Sequence, residues 1–241
     1  MLIGAEARDI IHAELGHSFP NRATQDVDLA FAIPDWHAYD RLVSGLDAIP
    51  DTGIAFRVAG MHVDFMAFGS VEAPQGTVVP PFRQADPLDV FGMTQVYAAA
   101  RDATFGDGLE IRLPTVAGYV ALKLKAWIDR SAVYNYKDAP DLGLALFWAT
   151  ESTSFADRFW SDVDTVGRWQ ADAGLGGAAH MGEDMRQVLG ATAAEHVADV
   201  FTADTRDRLA RALESGRREL ALGDLTRRRA LLEAMTDGLR G

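Results

Sequence analysis

The chain has 241 residues, 48% of them apolar, with a formal charge of −12 and no cysteine. That length and apolar share allow a full core in one large domain or two small ones, and the missing thiols exclude disulfides and thiolate zinc sites, leaving metals to carboxylates that suit Mg²⁺ or Mn²⁺. No membrane-length apolar run and no secretory signal is present, so a cytoplasmic protein without membrane contact is expected, and the acidic balance argues against a general nucleic-acid coat.

Met1, Leu2 and Ile3 form a strand stub that breaks at Gly4. Ala7, Ile10, Ile11 and Leu15 then recur at helical spacing, which predicts a helix over Ala5–Leu15 with Gly16 as its C-cap. The polar approach from Arg22 runs into an alternating strand over 26–33. Val27, Leu29, Phe31 and Ile33 share one face of it, and Asp26 and Asp28 project from the other, about 6.5–7 Å apart. After Pro34, residues 35–48 read as an amphipathic helix containing Trp36, Tyr39, Leu42, Val43 and Leu46. Strands follow at 54–59 and 61–68, joined by a tight turn at Gly60. In the second strand His62, Asp64 and Met66 share a face, opposite Met61, Val63 and Phe65.

Residues 71–92 are rich in Pro and Gly and read as a long loop. A strand near 109–113 leads through Pro114 into a helix over about 115–131. Beyond Asp138 the pattern is helical to the end, broken at Gly174-Leu175-Gly176-Gly177. Strands and helices interleave up to about 113 and helices dominate afterwards. That order predicts an α/β or α+β unit over 1–113 followed by a helical domain over 114–241.

Two carboxylates at the spacing of Asp26 and Asp28 can share a pair of divalent cations ~3.5–4 Å apart, the arrangement that clamps the attacking and leaving oxygens of a phosphoryl transfer. A pair of solvated aspartates at a strand entrance is the plainer alternative. Gly4 precedes a helix after a strand, so backbone N–H groups there can meet phosphate oxygens. Asp64, on a later strand, can supply a third carboxylate, and its apolar neighbours make its charge costly unless a metal or partner compensates it. His62 beside it is the histidine to watch.

On the helix over 115–131, Val116, Val120, Lys123, Trp127 and Arg130 fall on one stripe, while Lys125 lies opposite with Asp129 as its i,i+4 partner. Lys125 therefore reads as a solvated helix residue. Lys123 is either a snorkelling lysine or a point charge for a triphosphate, with Arg130 as a second anion contact. Asp141 after Pro140 can simply open the next helix. The late basic group of Arg217, Arg218, Arg227, Arg228 and Arg229 reads as solvated arginines paired with nearby glutamates.

Together these residues resemble the AbiEii/AbiGii group of nucleotidyltransferase toxins, relatives of the MenT toxins within the DNA polymerase β-like superfamily. The resemblance rests on Gly4-Ala5, on Arg22-x-Thr24-x-Asp26-x-Asp28-Leu29, and on Val63-Asp64-Phe65. It continues in Leu122-Lys123-Leu124-x-Ala126-Trp127-x-Asp129-Arg130 and Lys137-Asp138-x-x-Asp141-Leu142. It covers residues 1 to about 145. It implies an α+β fold, a small mixed β-sheet flanked by helices and followed by a mainly α-helical C-terminal domain. Asp26, Asp28 and Asp64 would hold two Mg²⁺ ions, and Asp64 would also activate the attacking hydroxyl. Gly4, Ala5, Arg22, Thr24, Lys123, Arg130, Lys137 and Asp138 would line the nucleotide, with Lys123 on its triphosphate and Asp138 near the acceptor or base. The implied activity is transfer of a nucleotide from an NTP to an acceptor, tRNA in the MenT group, with a cognate antitoxin as partner. The chain departs from the family at Ala5, where a serine is usual, and in the longer separation between Gly4 and Asp26. A lapsed enzyme that only binds a partner, or a transferase acting on a small cationic molecule or a protein hydroxyl, are the alternatives.

Overall fold

The computed structural model describes every residue except 25, 51–52, 81–86, 107 and 216–219. The chain divides into two units, one of Met1–Ile11 with Ser18–Thr115, the other of His12–His17 with Val116–Gly241. The fold is mixed α+β with small sheets and a helical C-terminal region.

In the first unit, β1 (Leu2–Ile3), α1 (Gly4–Glu14), β2 (Asp26–Ile33), α2 (Trp36–Val43), β3 (Asp47–Ala48), β4 (Ala55–Val58) and β5 (Met61–Gly69) follow in order. The sheet runs β1-β2-β5-β4-β3. Its central pair, β2 and β5, is parallel, and the other pairs are antiparallel. The β4–β5 turn is made by Ala59 and Gly60, both at positive φ (50° and 85°), as a two-residue hairpin with the strands' own twist requires. The apolar face of β2 finds its core partners at once. Val27 and Leu29 pack with Ile10, Ala103, Phe105 and Ile111 around buried Leu2, Ala7 and Leu113, and Phe65 stacks on Phe31 at 5.3 Å.

Helix α2 stops at Val43 instead of reaching 48, because Gly45 turns at φ 80° and Asp47–Ala48 join the sheet edge beside β4. The expected loop over 71–92 contains two short paired strands, β6 (Thr77–Val78) and β7 (Leu88–Asp89), while its stretch 81–86 lies outside the described residues. Two elements had no sequence signal: α3 (Met93–Ala99), two turns long, and β8 (Arg101–Phe105), which pairs antiparallel with β9 (Leu109–Leu113).

The second unit holds α4 (Val116–Ser131), α5 (Ala139–Glu151), α6 (Thr153–Ser161), α7 (Val163–Arg168), α8 (Ala173–Leu189), α9 (Ala191–Val200), α10 (Ala203–Ala212) and α11 (Leu225–Arg240). Trp127, Trp148, Phe159 and Met181 are almost wholly buried in it. The glycine stretch at 174–177, expected as a break, lies inside α8. A Cβ on Gly176 would sit 2.0 Å from the Phe159 ring, and one on Gly177 would sit 2.0 Å from the Ala149 carbonyl oxygen. Gly182 and Gly238 show the same closeness between α8 and α11, where a Cβ would meet Met235 O and Ala179 O at 2.0 Å. These glycines are packing residues. No helix among the described residues is long and apolar enough to cross a membrane.

Of the late arginines, Arg227 pairs with Asp172 and Arg229 with Asp207, so their partners are aspartates and not the expected glutamates. Arg228 is buried, at 8% exposure, where a solvated position was expected. Arg217 and Arg218 lie outside the described residues.

Asp172 both caps α8, accepting from the Leu175 N–H at 3.0 Å, and takes two hydrogen bonds from Arg227. The Arg227 guanidinium holds its carboxyl below the usual aspartate range. A lowered carboxyl contributes stability above its ordinary pKa and loses it as pH falls through the folded value. Asp172→Asn keeps an acceptor for the cap and is expected to lose about 1 kcal/mol near neutrality, since the pair is about one-third exposed. Asp172→Ala loses the cap too, about 1 kcal/mol more. Urea titrations at neutral and acid pH check both, the Asn deficit vanishing once wild-type Asp172 protonates.

Candidate active site

The parallel register of β2 and β5 decides what the acidic residues can do together. Asp28 pairs with Asp64, and Asp26 pairs with His62. Paired residues of neighbouring strands point to the same side of a sheet, and alternation brings Asp26 and Asp28 to that side together. Three carboxylates from two strands remote in sequence therefore share one face, with an imidazole among them. His62 Nδ1 lies 3.2 Å from Asp26 Oδ1, and His62 Nε2 lies 3.1 Å from Asp64 Oδ1. His62 thus stands within reach of both carboxylates, one at each ring nitrogen. Asp64 is 28% exposed, so its charge is partly solvated as well as paired.

Gly4 completes this corner. Its φ is +69°, and a Cβ there would lie 1.9 Å from Asp28 Oδ2. The start of α1 therefore closes against the Asp28 carboxylate, which only a glycine permits. Ala5 follows in the first turn of the helix. Glu6 is next, and its Oε2 is buried with no hydrogen-bond partner among the described residues. Burial raises the Glu6 carboxyl above the usual range; its own backbone N–H opposes that, and the charge of Asp28 adds to it.

The approach to β2 is tied to α1 by a residue the sequence did not single out. Arg8, 3% exposed, donates to the Arg22 carbonyl at 2.8 Å and to Asp9 Oδ1 at 2.8 Å. Asn21 donates to the same Asp9 oxygen at 2.9 Å. The Arg22 carbonyl is thus held while its side chain is exposed. Thr24 Oγ1 accepts from the Asp26 N–H at 3.3 Å, a local turn that delivers Asp26 to its strand. The one sequence cue to Arg8 is a cation on the inward side of α1.

In the second unit, Lys123 Nζ is 2.6 Å from Asp141 Oδ2, 3.8 Å from Asp138 Oδ1 and 5.7 Å from the Tyr119 ring centroid. Arg130 Nη1 donates to both Asp138 oxygens, at 2.9 and 2.8 Å. Asp138 is 2% exposed. It opens α5 by position yet makes no side-chain cap, because its oxygens are taken by Arg130 and Lys123. The expected cations for a triphosphate are present but already face carboxylates. Lys125 does pair with Asp129, at 2.6 Å, but its side chain is only 12% exposed, so the solvated position expected for it is not found. Lys137, by contrast, is exposed.

Among the described residues no three His, Asp or Glu side chains stand together as a ready metal cage. The donor set nevertheless fits a hard divalent cation in chemistry: oxygen ligands from three carboxylates at adjacent register positions on one face. No family model matches the chain, and no curated protein and no solved structure matches it.

Proposed function

We propose that the protein is a divalent-metal-dependent nucleotidyltransferase that moves a nucleotide from an NTP to an acceptor, an RNA such as tRNA, in the manner of a toxin kept in check by an antitoxin. The register that sets Asp28 beside Asp64, with Asp26 two residues along, is the observation that supports it. Mg²⁺ or Mn²⁺ held by Asp26, Asp28 and Asp64 would neutralise the charge of the transferring group. Asp64 takes the proton of the acceptor hydroxyl as that oxygen attacks the α-phosphorus and pyrophosphate leaves. The amides at the start of α1, beside Gly4, offer donors to phosphate oxygens.

The test is incubation with each α-labelled NTP, Mg²⁺ or Mn²⁺, and total RNA. Covalent label on RNA is the expected result. Absence of label on RNA with every NTP and both metals rejects the reading. The ion pairs that occupy Lys123 and Arg130, with Ala5 in place of a serine, favour one alternative: a lapsed enzyme that binds a partner protein. Calorimetry separates the two, since the lapsed form shows no metal-dependent NTP binding at millimolar concentrations.

A further inference from the structure

Helix α4 ends in a hydrogen-bond pattern made for glycine. The Tyr134 N–H bonds to Ser131 O at 3.2 Å, and the Asn135 N–H bonds to Arg130 O at 3.0 Å. This is the paired closure that places one residue in the left-handed region just past the helix. That residue is Tyr134, at φ +61°. A bulky aromatic rarely adopts this conformation. Packing does not explain the choice, because Tyr134 is 80% exposed. Among the described residues its ring has no stacking neighbour and its hydroxyl no partner. Val133 beside it is 74% exposed. Tyr136 is anchored, its ring 5.4 Å from Trp127. A local conflict without structural compensation points to a role outside the fold.

The charge around it says what that role is. All three lysines of the chain, Lys123, Lys125 and Lys137, lie in α4 and this loop. Residues 116–141 carry four cations (these lysines and Arg130) against the carboxylates of Asp129, Asp138 and Asp141, in a chain of net charge −12. Lys123, Lys125 and Arg130 face carboxylates. Lys137 is exposed and has no ion pair among the described residues. An exposed ring three residues from an exposed ammonium with no ion pair among the described residues suits a nucleobase and its phosphate better than an apolar protein surface. Stacking on a side chain needs an unstacked base, hence a single strand.

We propose that the α4–α5 loop docks single-stranded RNA, one base stacking on Tyr134 and a neighbouring phosphate meeting Lys137. This deepens the reading above by placing its RNA acceptor, and it rests on the acceptor being RNA.

The experiment is fluorescence anisotropy of the full chain with a short labelled oligocytidylate RNA, without NTP or metal. Tyr134→Gly is expected to weaken binding about tenfold or more. Its thermal midpoint should be equal to or above wild type, because glycine suits the conformation. Tyr134→Phe should bind as wild type. Lys137→Ala should weaken binding regardless of sequence and lower the slope of log affinity against log salt by about one. Equal affinity of wild type and Tyr134→Gly, or tighter binding of a duplex than of the single strand, overturns the proposal. The two readings fail separately. Label transfer by a chain that binds no RNA removes the docking site and leaves the transferase. Binding lost in Tyr134→Gly, with no transfer from any NTP, does the reverse.

Discussion

Asp28→Asn is expected to lower label transfer by more than about a hundredfold, the scale seen when one preorganised electrostatic contact to a transition state is removed. Its thermal midpoint should stay close to wild type, because the carboxylate stands on the polar face of β2 and away from the packed face of Val27 and Leu29. Gly4→Ala should produce nearly the same loss without touching a carboxylate. Its Cβ would stand 1.9 Å from Asp28 Oδ2, so the side chain must turn away. The positive φ of Gly4 adds a further penalty of about 1–2 kcal/mol to the folded state for any L-residue. Mn²⁺ binding followed by electron paramagnetic resonance gives a readout independent of turnover. Both variants should bind Mn²⁺ more weakly than wild type. Wild-type affinity in Gly4→Ala would reject the link between the α1 start and the carboxylate group, and wild-type transfer by Asp28→Asn would reject the metal assignment itself.

The second large effect is on stability. Gly182→Ala introduces a methyl 2.0 Å from the Met235 carbonyl oxygen and 2.7 Å from the Leu239 nitrogen, both backbone atoms of α11. Neither can swing aside as a side-chain tip would, so α8 and α11 must separate. We expect a loss of about 3 kcal/mol, at the upper end for overpacking, and a fall in Tm of roughly 6–12 °C for a chain of this size. Gly167→Ala is the control. Gly167 sits in α7 with nothing within 4 Å of a Cβ, so alanine there should be neutral or stabilising by up to about 1 kcal/mol. Scanning calorimetry of the two variants checks the contrast. A small effect at Gly182 would mean that the helices part easily.

Much of the first unit was legible because its signals are local. The period-two alternation of Val27, Leu29, Phe31 and Ile33 marks β2, Gly60 marks the hairpin, and Pro114 marks the start of the long helix. Alternation alone places Asp26 and Asp28 on the polar side of their strand. Helix α3 and strand β8 were missed because they are short, and the sequence Arg101-Asp102-Ala103-Thr104-Phe105 carries little apolar contrast. The glycines of α8 were misread for a different reason. Propensity treats glycine as a helix breaker, but these sit where a neighbouring helix comes too close for any Cβ, and that closeness belongs to the partner helix.

The sequence by itself therefore determined the alternating strands, the helical second half and the carboxylates each strand presents, since these follow from side-chain periodicity along one segment. Only the tertiary structure decided that β2 and β5 lie parallel with Asp28 opposite Asp64, that His62 stands between Asp26 and Asp64, and that Lys123 and Arg130 are held by Asp141 and Asp138. Register and side-chain partners depend on residues far apart in the chain, and no local pattern encodes which of them will meet.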